Sequence, residues 1–465
     1  MLRRFLIITL CAATIIACQT KDDSLYEGGL ERFEVSLSRT NLLRGEVAMR
    51  FSAPTEFQIE YWERADSDLS SLQQTNHYKG NGVVRKTLLF LKPNTEYACR
   101  IRYDNGLLSD VKYFKTQPIQ SITQMPSLNT DEIKEPLAGY LLFYNWRPGY
   151  LFLSDTKGTI LWYEPVSEGL SVANYDAKTQ HFYLLTTPTG VDKFAYNSNK
   201  VKVIDLFGKV LWETDLTTLP QMKGRTAHHE CRPLPDGGVA LVTYVDKPFD
   251  LTARGGTASE TVKGDGYVIL DKNGKFVSAW DCFGTLNPAD DPDIMNTKGD
   301  WLHANSFNYD SEGNYYMTFN APSELWKIDA RTGKVLYRVG KKGTIVPPAS
   351  GIANGMHCAN PQAPDDVLVL DNARAGTSIG TRALRYKVNA TSQTVEVTLN
   401  CEIPKEMSSG NRSNVQLFGK DMLLFASTVK SLILFTDRSP KAKILRSISL
   451  GEPFYRVEYI PEIRY

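Results

Sequence analysis

The chain has 465 residues, 53 Lys+Arg against 52 Asp+Glu, and a content of 42% hydrophobic and 11% aromatic residues. That length exceeds one ordinary core and implies two or three domains, or one large repeat domain. The balanced charge argues against nucleic acid or an acidic membrane face as the main partner, and the apolar content excludes a disordered chain.

At the N-terminus, Arg3-Arg4 precede an apolar run over residues 5–16. It is short for a bilayer span and has the length of a signal-peptide core. The following Ile15-Ile16-Ala17-Cys18 resembles the lipobox of bacterial lipoproteins, whose cysteine becomes the lipidated first residue. The resemblance implies a signal peptide over 1–18 ending at a lipidated Cys18, then a polar tether over 19–30. Gln19 after the cysteine implies an outer-membrane lipoprotein, facing periplasm or cell surface and touching the membrane only through its lipid.

Residues 31–118 contain short runs such as "FEVSLS", "FQIEYW" and "YACRIRY", whose period-two alternation predicts strands. "LKPNTEYACRIRY" resembles the late strands of fibronectin-type-III domains, so a small immunoglobulin/fibronectin-III-like β-sandwich is expected. The lone His77 there reads as a structural residue. A Pro/Ser/Thr-rich stretch follows, and 119–134 is predicted to be a linker.

From 135 to 465 the sequence repeats. The unit is an apolar pair, an Asp, a turn, Gly-Lys and an apolar run often holding Trp, as in "VIDLFGKVLWE" and "ILDKNGKFVSAW". Its anchors are Asp155, Asp205, Asp271, Asp329, Asn389 and Asp437. An interleaved repeat ("LPDGGVALVTY", "YDSEGNYYMTF") adds a second turn and strand. Four strands about every 50–60 residues predict a β-propeller, and six anchors predict six blades. The whole chain is therefore expected to be all-β. Five cysteines beyond residue 18, at wide spacings, offer no disulfide framework and no CxxC metal pair.

Four of the six histidines fall in one repeat phase: His228-His229, His303 and His357. Equivalent positions on successive blades lie side by side round the axis, so these side chains should converge at one mouth of the channel. His181 is out of phase. Three converging histidines suit either a Zn²⁺ site or an anion site with one neutral imidazole as nucleophile. Amide neighbours such as Asn305, and the lack of an HxH or HExxH spacing, favour the anion site.

The motifs "HHE", "DWLHANS", "MHCANP…LVLDNARAG", "TRALRYKV" and "YRVEYIPEIRY" together resemble those of the bacterial arylsulfate sulfotransferases, over about 120–465. The resemblance implies transfer of a sulfo group from a phenolic sulfate ester to a phenol, by a ping-pong route through a sulfohistidine. It implies no cofactor and no metal, and as partners only a small aromatic sulfate donor and a phenolic acceptor. His357 matches the nucleophile. His303 and Asn305 match sulfate ligands, and one of His228 or His229 matches another. His357, His303 and His228 are thus the expected catalytic set, with His229, Asn305, Asn320, Arg374 and Arg412 binding substrate. The family carries an arginine where this chain has Asn320. Arg225, Arg374 or Arg412 could replace its charge, with Arg412 preferred because it shares the histidines' phase. Two alternatives stay open: a propeller that binds a sulfated or carboxylated ligand without turnover, and a metal-dependent sulfate-ester hydrolase.

Overall fold

The computed structural model describes residues 29–146, 148–187, 197–374 and 376–465, and in it each of the six anchors begins a turn between two strands. The side-chain oxygen of Asp155 accepts from the backbone N–H of Lys157 at 2.9 Å and Thr159 at 2.8 Å. Asp205, Asp271, Asp329, Asn389 and Asp437 repeat the device at the equivalent turns. A short Asx side chain satisfies the N–H groups that a tight turn leaves free, which explains the residue type. In four turns a glycine takes the left-handed position (Gly158, Gly208, Gly274 and Gly333); in the weaker copy at Asn389, Gln393 takes it at φ 53°.

The described residues divide into two compact units that interleave in sequence. One takes in residues up to Ser36, then Glu46–Thr87 and Glu96–Phe114. It is a β structure built on the long strand Gly45–Glu63, which pairs antiparallel with Glu96–Tyr103. The other holds Lys115–Tyr465 together with the loops Leu37–Gly45 and Leu88–Thr95. Those loops join the second unit by specific bonds; Asn41, for example, donates to the Tyr163 carbonyl at 3.0 Å.

The second unit is propeller-like. Among the described residues it has six small antiparallel sheets. Their first strands are Glu458–Ile460, Gly169–Asp176, Arg225–Pro233, Ala304–Tyr309, Met356–Ala363 and Asn414–Phe418. Side chains clip these strands together in succession. Asn174 donates to the Cys231 carbonyl at 3.0 Å, Asn305 to Met356 at 2.9 Å and Asn414 to Val457 at 2.6 Å. Further out, apolar side chains fill the space between sheets, as Val242, Tyr267, Phe307 and Trp326 do. The repeat's tryptophans also reach the next sheet's turn: Trp162 donates to Leu206 and Trp280 to Gly333.

Both ends of the repeat region complete sheets begun elsewhere. Glu458–Ile460 pairs with Tyr140–Asn145, and Ser127–Asp131 adds to the outer edge of Ile444–Ser449. Residues 119–134 are therefore not purely a linker: a polar stretch that reads as loop becomes a strand because an open sheet edge offers it backbone partners. Cys99, Cys231, Cys282, Cys358 and Cys401 are all unpaired. No helix of the described residues is long and apolar enough to cross a membrane. Cys18, the 1–18 signal segment and nearly all of the 19–30 tether lie outside the described residues.

Arg446 holds the added edge strand. Its buried guanidinium pairs with Asp131 at 2.7 Å and donates to the Thr156 carbonyl at 3.1 Å. Arg446→Met should lower unfolding free energy by about 2–3 kcal/mol in urea titration, because Asp131 and Thr156 lose a charged donor.

Candidate active site

The histidines stand where the inner strands break register. Arg225–Pro233 passes from the pair Ala227↔Thr243 to Cys231↔Leu241, leaving three residues opposite one. Met356–Ala363 carries Cys358 as an extra residue, and Ala304–Tyr309 carries Asn305. Backbone φ is 58° at His229, 54° at His303, 57° at Cys358 and 58° at Arg412. Each non-glycine residue held there costs of order 1–3 kcal/mol, and such strain persists only where surrounding structure over-determines it. The bulges re-aim side chains that a regular strand would not bring together.

What they bring together is a cluster of rings. His229 lies 4.8 Å from His228, 5.0 Å from His303 and 5.9 Å from Tyr455, centroid to centroid. His357 lies 6.0 Å from the same Tyr455. His229, His303 and Tyr455 border a cavity of about 560 Å³, together with Tyr144, Trp146, Tyr244, Phe454, Lys263, Asp300 and Arg412. The size and aromatic lining suit a small flat ligand. A larger open groove of about 860 Å³ beside Phe249 and Phe283 holds none of the histidines.

Electrostatics separates the histidines. For His229, burial and then the charges of His228, His303, His357 and Arg456 all push the pKa well below its ordinary 6.5. Burial, Arg456 and His303 do the same to His357, against a hydrogen bond with the Ser413 backbone. Burial also opposes the charged form of His303, but Asp300, 2.6 Å from Nδ1, outweighs it and raises the pKa. Two imidazoles are thus kept neutral beside one inclined to carry a proton. Buried Arg456 completes the set, pairing with Glu230 at 2.6 Å and donating to the Asn305 carbonyl at 2.5 Å. Burial pushes the Tyr455 phenol up to about 12, and its hydroxyl has no hydrogen-bond partner. Among the described residues no group of His, Cys, Asp and Glu is placed to hold a metal ion.

Residues 129–449 match the model of the arylsulfotransferase (ASST) family. The chain belongs to that family. No curated protein matches it. Solved structures that resemble it include a protein of unknown function from Bacteroides caccae, 14% identical over 70% of this chain and 100% of that one, with a TM-score of 0.44. Another, of unknown function from Bacteroides thetaiotaomicron, is 10% identical over 94% and 99%, with a TM-score of 0.39. Virginiamycin B lyase from Staphylococcus aureus is 12% identical over 69% and 88%, with a TM-score of 0.36.

In this member of the family the expected site residues fall into two groups. His229, His303 and Arg412 border the cavity. His228 is fully buried behind His229, so of the histidine pair it is His229 that faces the ligand space. Asn305 is also fully buried, and its amide is engaged with the Met356 carbonyl and the Thr318 hydroxyl. It clips two strands, because the bulge that carries it turns its side chain inward. Asn320 bonds Met356 O at 3.3 Å, and its side-chain oxygen accepts from Arg374 at 2.9 Å. Arg374 therefore sets its charge beside Asn320, whereas Arg225 is tied to Asp281 at 3.2 Å. Tyr455, Arg456, Tyr244 and Asp265 were not singled out by sequence reasoning. The first two lie in "YRVEYIPEIRY", and that motif was their only signal.

His303 should titrate with a midpoint above 6.5, and Asp300→Asn should bring the midpoint below it, read by NMR of histidine-labelled protein. The depressed pKa values of His229 and His357 have the opposite linkage: the stability they allow is present above about 6.5 and lost as pH falls below it. Thermal melting should show that acid-side loss.

Proposed function

We propose that this protein moves a sulfo group from a phenolic sulfate ester to a phenol by two displacements through a sulfohistidine on His357. The family supports aryl sulfate transfer in general. The observation that carries the finer reading is the opposed tuning of His303, which borders the aromatic-lined cavity, and His357, whose ring lies 6.0 Å from the cavity-bordering Tyr455. Groups pushed apart in pKa at one site take different roles.

In this reading the donor's ring lies among Tyr144, Trp146 and Tyr244, and its sulfate lies against His303 and the charges of Arg374 and Arg412. His357 Nδ1 is buried and has no hydrogen-bond partner; with the ring proton on Nε2, Nδ1 carries a free lone pair. That nitrogen attacks sulfur, the aryl O–S bond breaks and the phenolate leaves. A phenol then takes the sulfo group from the histidine. His357 does not border the cavity and Tyr455 does, so attack requires the Tyr455 ring to shift. Protonated His303 donates to the sulfo oxygens, and its loss should cost about 2.7–4 kcal/mol of barrier. We also take the six sheets as the blades of one closed six-bladed propeller. The protein is placed outside the cytoplasm, held at the outer membrane by a lipid on Cys18.

With p-nitrophenyl sulfate, release of p-nitrophenolate should require a phenol acceptor beyond the first turnover. Intact-mass spectrometry without acceptor should show one added sulfo group, absent in His357→Asn. An active His357→Asn enzyme would remove the nucleophile assignment, and acceptor-independent turnover would make the protein a hydrolase. Cys18→Ser should move the protein from the membrane fraction to the soluble one.

A further inference from the structure

A buried carboxylate stands behind the histidine cluster. Asp265 is fully buried, and neither of its oxygens has a hydrogen-bond partner. A carboxylate in that state is costly unless a nearby group answers it. The group facing it is His228, whose Nε2 lies 3.5 Å from Oδ1 and also has no hydrogen-bond partner. The His228 ring is held in place by Tyr244, stacked on it at 3.7 Å and 14°. On its other side, Nδ1 of His228 lies 2.6 Å from Nδ1 of His229.

Those contacts settle where the protons go. Burial keeps the His228 imidazole neutral against the pull of Asp265, so the ring carries a single N–H. A carboxylate can only accept, so that N–H is on Nε2, and Nδ1 of His228 is a bare acceptor. The 2.6 Å contact then requires His229 to donate from Nδ1. Its remaining nitrogen, Nε2, is left with a lone pair and no proton, on the residue that borders the cavity. A bare nitrogen cannot donate to a sulfate oxygen, but it can accept from a phenol.

We propose that Asp265 and His228 are positioning residues that fix His229 as the proton acceptor for the phenol. The proposal rests on the sulfohistidine reading above. As the phenol oxygen attacks sulfur, its proton passes to His229 Nε2. The O–S bond forms, the S–N bond breaks, and that electron pair returns to the His357 ring. The His229 imidazolium returns its proton to the next leaving phenolate, or to water when that phenolate is a weak base.

Long-range ¹H–¹⁵N NMR of the full-length, histidine-labelled protein without substrate reads the tautomers directly. His229 should be protonated at Nδ1 and His228 at Nε2. A proton on His229 Nε2, or a doubly protonated His228, would overturn the proposal. Asp265→Asn should lose this preference and slow desulfation of the sulfo-enzyme by phenol about 10²–10⁴-fold, with a smaller effect on its formation. Near-UV circular dichroism checks that the variant is folded. A lost tautomer preference with an unchanged desulfation rate would remove the catalytic role. Absence of any sulfo-enzyme in the wild type would instead sink the sulfohistidine reading, while the NMR result would still stand on the relay.

Discussion

Buried Arg456 is the constraint on which most of this structure depends. It comes from the last segment of the chain, two residues before the strand that completes the first sheet. Its guanidinium reaches Glu230 on the third sheet's inner strand and the Asn305 carbonyl on the fourth's. One side chain thus ties the last segment of the chain to strands near the histidines. The cost of burying two charges is repaid only in such a closely matched geometry, so the pair tolerates one arrangement of those strands and few others.

The same charge adds to what burial does at the site. Burial first, and then neighbouring charges that include Arg456, depress His229 and His357, while Asp300 raises His303 against its own burial. The outcome is a cavity in which uncharged ring nitrogens stand beside cations. The strained backbone at His229, His303 and Cys358 is part of this, because regular strands would alternate those side chains onto opposite faces.

The asparagines show how little residue type says about role. Asn305 sits two positions from His303 in a motif that resembles a ligand set, yet the bulge turns it into a clip between strands. Asn320 is likewise tied up: its side-chain oxygen accepts from Arg374, which reaches it from the next sheet.

The repeat, the turn anchors, the all-β character and the common phase of His229, His303 and His357 were legible in the sequence, because all are local patterns. An Asx side chain bonds to backbone within its own turn, and strand alternation is written in consecutive residues. The strand at Ser127–Asp131 was not legible, since its partner lies more than 300 residues away. Nor was the choice between His228 and His229. It depends on a bulge in one strand, on Asp265 two strands across and on Arg456 from the far end of the chain. Only tertiary structure brings together groups so distant in sequence, and only there do burial and charge act on one another at a few ångströms.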